Sequence, residues 1–266
     1  MVYSDSYLIN LGGLERFHPF DIRKYDRIYQ QLVVDGVLDA SGVHPPGPIS
    51  QEDVLRVHTE RFSESLADSR AVATYLEAPE VGLIPAPLVE QGILAPFRHA
   101  TGGTLLAARK ALDDGIGINL GGGYHHAKPH AGEGFCIYAD MPIAIRVLQA
   151  EGRIRTALVI DLDVHQGNGT AVCLAGDEST FTFSMHQGDI YPIPKEESDL
   201  DVELEAGTGD DAYLQLLAAH LPKVFQAGGK PDIVFYQAGC DPLAGDPLAS
   251  LQMSEAGIVE RDRMVI

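Results

Sequence analysis

The sequence predicts an α/β fold, an open and mostly parallel central sheet flanked by helices in one domain. Three observations carry this prediction. Short apolar runs rich in branched residues read as buried strands. Segments of helical periodicity alternate with them, the pattern of parallel strands covered by helices. Clusters of polar residues follow directly after the predicted strands, where ligands sit in such folds.

In chain order, apolar spacing predicts a helix over Ile22–Val34. Proline-rich punctuation at Ser41–Pro48 and Leu83–Pro87 is too short for a domain linker. A helix over Gly102–Asp113 is followed by a strand at Ile116–Leu120, and a further helix spans Pro142–Glu151. Strands follow at Ala157–Asp161 and Phe181–Ser184. The acidic run Glu196 to Glu205 reads as a solvated loop and edge. A helix over Asp210–Phe225, with Asp210 or Asp211 capping its first amides, leads to a strand at Ile233–Gln237.

Composition bounds the function. The 266 residues suffice for one large α/β domain, and 45% apolar with 21% charged residues is ordinary for a soluble protein. The start, MVYSDSYLINLGG, lacks the charged and apolar regions of a signal peptide. No stretch approaches the roughly 20 apolar residues of a membrane span. Three scattered cysteines, Cys136, Cys173 and Cys240, make no disulfide framework, so a cytoplasmic location is expected. A net charge of −19 without basic clusters argues against direct nucleic-acid binding and favours cationic ligands such as basic peptides, lysine side chains or polyamines.

Three stretches carry chemistry. The first, Val159 to Gly169, begins as a buried strand and turns polar at every second residue through Asp161, Asp163 and His165. On an extended chain such residues point to one side. Two carboxylates and an imidazole packed together call for a cation, though acids capping nearby amides at a strand end explain the pattern equally well. The second, Asn119 to Ala127, places three glycines before His125 and His126. No Lys-Ser or Lys-Thr follows, which argues against a phosphate loop; the histidines read as ligands, general bases or buried donors. The third, Gln237 to Pro247, runs a strand into Asp241, a third ligand or a turn former; Asp246 reads as the latter.

Taken together and in order, Gly122-Gly123-Tyr124-His125-His126-Ala127, Gly134-Phe135-Cys136, the Asp161-to-Gly169 stretch and Gly239-to-Pro247 are similar to histone deacetylases. The match extends to Gly13–Phe20, with its His18-Pro19, to Val202–Asp211 and to Ser254–Val259, which look most like the class IV branch. The resemblance covers nearly the whole chain. It implies the arginase/deacetylase fold and a histone deacetylase-like domain over residues 1–266.

The resemblance further implies zinc held by Asp163, His165 and Asp241, with one coordination position left for water and a substrate carbonyl. It makes His126 the general base, His125 its electrostatic partner, Asp161 the carboxylate orienting His125, and Asn168 the group orienting His126. Class I relatives carry Asp at the Asn168 position, so the amide leaves His126 less basic. A structural monovalent cation, K+ in type, belongs beside Asp161, with Ser184 and Met185 in the matching segment. Gly134 and Phe135 match the wall of a narrow tunnel for an acylated lysine stem. Oxygen-rich ligation suits iron(II) as well as zinc.

One departure bears on activity. The family carries a catalytic tyrosine in a glycine-rich loop near its C-terminus, and no such residue precedes Ile266, so the sequence reads as lacking its C-terminal segment and low turnover is expected. Tyr124 precedes the histidine pair and is not its equivalent. The substrate expected is an acyl-lysine protein or peptide, for deacetylation or longer-chain deacylation. An acylated polyamine or small amine fits the same chemistry, a catalytically dead binding module fits the missing tyrosine, and a dimanganese arginase-like site needs more ligands than are present. The remaining histidines read as structural, and Cys240 as a small buried filler.

Overall fold

The computed structural model describes residues 1–13, 15 and 21–266. Arg16 to Phe20, with the predicted His18-Pro19 motif, lie outside the described residues. The described chain packs into two compact units, Met1–Arg153 and Ile154–Ile266.

The first unit is helical: α1 (Lys24–Val34), α2 (Gln51–Val54), α3 (Glu60–Ser65), α4 (Ser69–Tyr75), α5 (Ala86–Val89), α6 (Ala95–Asp114) and α7 (Asp140–Ala150). Side-chain caps start three of these. Ser50 Oγ accepts from the Asp53 amide at 3.1 Å, Thr59 Oγ1 from Phe62 at 3.2 Å and Asp68 Oδ1 from Arg70 at 2.9 Å. α5 runs through a π turn, Glu90–Leu94, into α6, which therefore starts well before its predicted bound. α6 tolerates Gly102 and Gly103 because a Cβ at the first would overlap the Gly47 carbonyl and at the second the Tyr7 hydroxyl.

The strand predicted at Ile116–Leu120 does not form. Among the described residues only Val2 pairs with it, donating to the Ile118 carbonyl at 2.7 Å and accepting from the Leu120 amide at 3.1 Å. On its other side Val2 makes one further parallel bridge, to His44. Gly117 is pressed onto α6, where any Cβ would overlap the Ala107 carbonyl, and Ile116 remains 56% exposed. With a single-residue partner there is no ladder to extend.

The second unit holds a parallel sheet of β1 (Ala157–Asp161), β2 (Thr180–Gln187), β3 (Leu200–Leu204) and β4 (Ile233–Gln237), in the order β3-β2-β1-β4. Central β1 is buried at all five positions, as expected of a parallel strand covered on both faces. α8 (Asn168–Leu174) links β1 to β2, and α9 (Asp210–Ala227) links β3 to β4; α10 (Glu255–Val265) follows. Leu158, Ile160, Phe183 and Met185 pack with Tyr213, Leu217, Leu221 and Val224 of α9 into one core. Burying these side chains contributes roughly 1.5–3 kcal/mol each.

Two expectations change here. The acidic run is an edge, but an edge strand: Val202 and Leu204 of β3 turn inward while Asp201 and Glu203 do not. Gly209, not an aspartate, stands at the N-cap of α9. Asp210 is engaged elsewhere, accepting from the Ser254 amide at 2.8 Å and hydroxyl at 2.6 Å.

Candidate metal centre

In the second unit the carboxyl ends of neighbouring β1 and β4 lie in register, Asp161 opposite Gln237. Beyond them Asp163, His165 and Asp241 converge, with one potential ligand atom of each within 4.8 Å of the others. His165 Nδ1 lies 3.2 Å from Asp163 Oδ1 and 3.1 Å from Asp241 Oδ2. Their side chains are largely buried, at 12% exposure for Asp163, 13% for His165 and 19% for Asp241.

Backbone amides orient this turn. Val164 N–H donates to Asp241 Oδ1 at 2.9 Å, His165 N–H to Asp163 Oδ1 at 3.0 Å, and Asp163 N–H to Asp161 Oδ1 at 3.1 Å. Capping of amides and convergence on a common point thus coexist. Asp161, only 2% exposed, stands outside the cluster because the chain leaves the strand after it. Gly239 is required where it stands, since a Cβ there would overlap the Asp163 carboxylate.

The electrostatics favour a positive charge at this point. Burial and the adjacent Asp163 charge push Asp241 up to about 6, against the opposing His165 and the Val164 amide. Burial disfavours a charged His165, yet hydrogen bonds and charges from Asp163 and Asp241 push it up to about 10. Two carboxylates and an imidazole make a donor set that suits zinc or iron(II), and they leave further coordination positions open.

In the first unit His125 and His126 are each 5% exposed, with ring centroids 4.0 Å apart. A Cβ at Gly134 would fall 2.5 Å from His126 Cδ2, so Gly134 is the residue that lets this loop lie on the imidazole. Phe135 follows with φ of +66°, a left-handed backbone unusual for an aromatic residue. The surrounding fold must hold that strain.

Asp140 is a buried acid that the sequence reading did not single out. It is 1% exposed and accepts from Thr104 Oγ1 at 2.6 Å and from the Gly123 and Tyr124 amides at 2.8 Å each. Burial raises its pKa, and those hydrogen bonds oppose the rise. It anchors the glycine turn that presents the histidine pair. A lone Asp ahead of an apolar helix was the available signal, and it reads equally as an ordinary first-turn acid.

Asn168 opens α8 fully buried. Ser184, paired with Asp161 in register, and Met185 are buried on β2. Tyr191 places its ring centroid 6.3 Å from that of His165, beside the metal cluster. Cys240 is exposed rather than buried, since its side chain leaves the strand end between Gly239 and Asp241. Asp246 is the turn residue expected, accepting from the Leu248 amide at 2.9 Å. Among the described residues, no other histidine joins a metal-ligating group.

The family model "Histone deacetylase domain" matches residues 18–266, running through both units. Histone deacetylase 2 of Arabidopsis thaliana is 40% identical over 268 residues, spanning 100% of this chain and 69% of that protein. A probable deacetylase of Archaeoglobus fulgidus is 28% identical over 265 residues, spanning 94% of this chain and 71% of that one. The crystal structure of the HDA15 HD domain superposes with a TM-score of 0.79 at 22% identity, covering 99% of this chain and 80% of that one. A second, of an HDAC homolog complexed with SAHA, gives 0.76 at 22% identity, covering 97% and 72%. The chain therefore belongs to the histone deacetylase family and is an amidohydrolase of α/β fold.

Proposed function

We propose that this protein hydrolyses the side-chain amide of N-acyl-lysine in proteins or peptides, with zinc held by Asp163, His165 and Asp241. The observation that carries this reading is the convergence of those three donors at the carboxyl end of the sheet. A divalent ion bound there supplies Lewis acidity to a carbonyl and lowers the pKa of water from about 15.7 towards 7. Two anionic ligands temper that effect relative to an all-histidine site.

The chain's own residues supply the remainder. His126 accepts a proton as general base and His125 is its electrostatic partner, with Asp161 and Asn168 orienting the pair; family resemblance assigns these roles. Gly134 and Phe135 line the passage for the lysine stem, where a methylene chain and an uncharged amide lose little on desolvation. Asp161, Ser184 and Met185 are assigned to a monovalent cation, and the class IV branch is the nearest by motif. The acidic charge suits substrates with basic flanks.

The test measures metal content and amide hydrolysis on acetyl-lysine peptides, long-acyl-lysine peptides and acetylpolyamines. The expected result is one zinc or iron per chain, lost in Asp241→Ala, with hydrolysis tracking metal content and fastest on peptides. Faster turnover of acetylpolyamines would move the assignment to small amines. A metal-loaded protein that binds a hydroxamate yet cleaves nothing would make it a binding module.

A further inference from the structure

Arg261 is the largest side chain that is fully buried, at 0% exposure, and it lies on α10 in the unit that carries the metal cluster. A guanidinium withdrawn from water costs several kcal/mol unless its donors are met. Here Nη1 donates to the carbonyl of Gly239 at 2.6 Å and to that of Leu162 at 3.2 Å. Nε donates to Asp262 Oδ1 at 2.9 Å, while Nη2 lies 2.8 Å from the same oxygen as an ion pair and makes no hydrogen bond among the described residues. Tyr236 of β4 donates its hydroxyl to that oxygen too, at 2.5 Å.

The two carbonyls stand where the ladder ends. The last backbone bond between the paired ends of β1 and β4 is Leu162 N–H to Gln237 O at 3.1 Å. Leu162 immediately precedes Asp163, and Gly239 lies two residues before Asp241 with its α-carbon against the Asp163 carboxylate. A single nitrogen, Arg261 Nη1, therefore bridges the two loops just past the last rung of the ladder.

We propose that Arg261 is a positioning residue for the metal centre, bracing the β1 and β4 loops so that Asp163 and Asp241 are held apart at metal-binding distance. The proposal rests on the metal-site reading above. A guanidinium suits the task because its donors are fixed in one plane; a lysine ammonium cannot reach both carbonyls and Asp262 in this geometry. Groups that hold ligands in place elsewhere alter metal affinity by about 10–100-fold when removed.

The experiment is a cobalt(II) titration of the metal-stripped full chain, followed by its visible absorption, in wild type, Arg261→Met, Arg261→Lys, Asp262→Asn and Val224→Ala. Asp262, 36% exposed, gives a variant that keeps the buried arginine while loosening its grip. Val224 controls for general destabilisation. It is buried on α9 four residues before Gly228, which packs on Leu158 and Phe181 near the opposite strand ends. The expectation is cobalt affinity weakened about 10-fold or more in Arg261→Met, less in Arg261→Lys and least in Asp262→Asn, with an altered absorption band. Val224→Ala should lower the thermal midpoint yet bind within about twofold of wild type. Arginine variants weakened no more than Val224→Ala, or Asp262→Asn indistinguishable from wild type when the arginine variants do not fold, would overturn the brace alone. A wild-type protein that takes up no cobalt would overturn the brace together with the metal site.

Discussion

Gly239 lies so close to Asp163 that a single added methyl displaces the carboxylate proposed to hold the metal. Gly239→Ala should therefore weaken zinc binding by about 10-fold or more, read by competition with a chelator; unchanged affinity would show that the carboxylate has another place to go. His165 makes a second prediction at this scale. Its metal-free imidazole is held protonated up to about pH 10 by Asp163 and Asp241, which outweigh burial. Metal must expel that proton, so affinity should rise about tenfold per pH unit between pH 6 and 8. Below the Asp241 value of about 6 a second proton must leave and the dependence should steepen. A pH-independent zinc affinity would contradict this account.

Elements are tied together by buried side chains between them. His58, just before α3, accepts from the Ala139 amide at the start of α7 with Nε2, at 2.9 Å. Burial pushes its pKa down to about 4, against the Lys128 and Pro129 backbone. The unfolded chain binds a proton near pH 6.5 and the folded one does not. The sign follows: this histidine costs nothing above pH 6.5, and stability falls as pH drops from there through 4, by on the order of 3 kcal/mol. Urea unfolding of wild type and His58→Gln should show a stability gap that narrows from pH 7 to 4.5; a constant gap would remove the histidine from the acid response. α10 depends on Ser254, whose Oγ accepts from the Gly257 amide at 3.0 Å. Ser254→Ala should cost about 1 kcal/mol, seen as a lower thermal midpoint.

For the whole molecule, a net charge of −19 should act on encounter with substrate. Acyl-lysine peptides flanked by arginines should show a lower KM than glutamate-flanked ones, with the difference collapsing in high salt. Equal KM at low salt would place the acidic surface away from the substrate's path. No helix among the described residues is long and apolar enough to cross a membrane. Local pattern was enough to determine β1 and β4, whose observed bounds match their apolar runs. It grouped Asp161 with Asp163 and His165 and left Asp241 as ligand or turn former, so the grouping of Asp163, His165 and Asp241 came from family resemblance and from their meeting in space. β3 was obscured because Asp201 and Glu203 alternate with the inward Val202 and Leu204 inside a longer acidic run, and the run at 116–120 failed for want of a ladder partner. Tertiary structure alone decided the duties of Asp140, Gly239 and Arg261. Each acts through groups 16 to 99 positions away along the chain, and a separation of that length leaves no periodicity in a sequence, only a meeting in space.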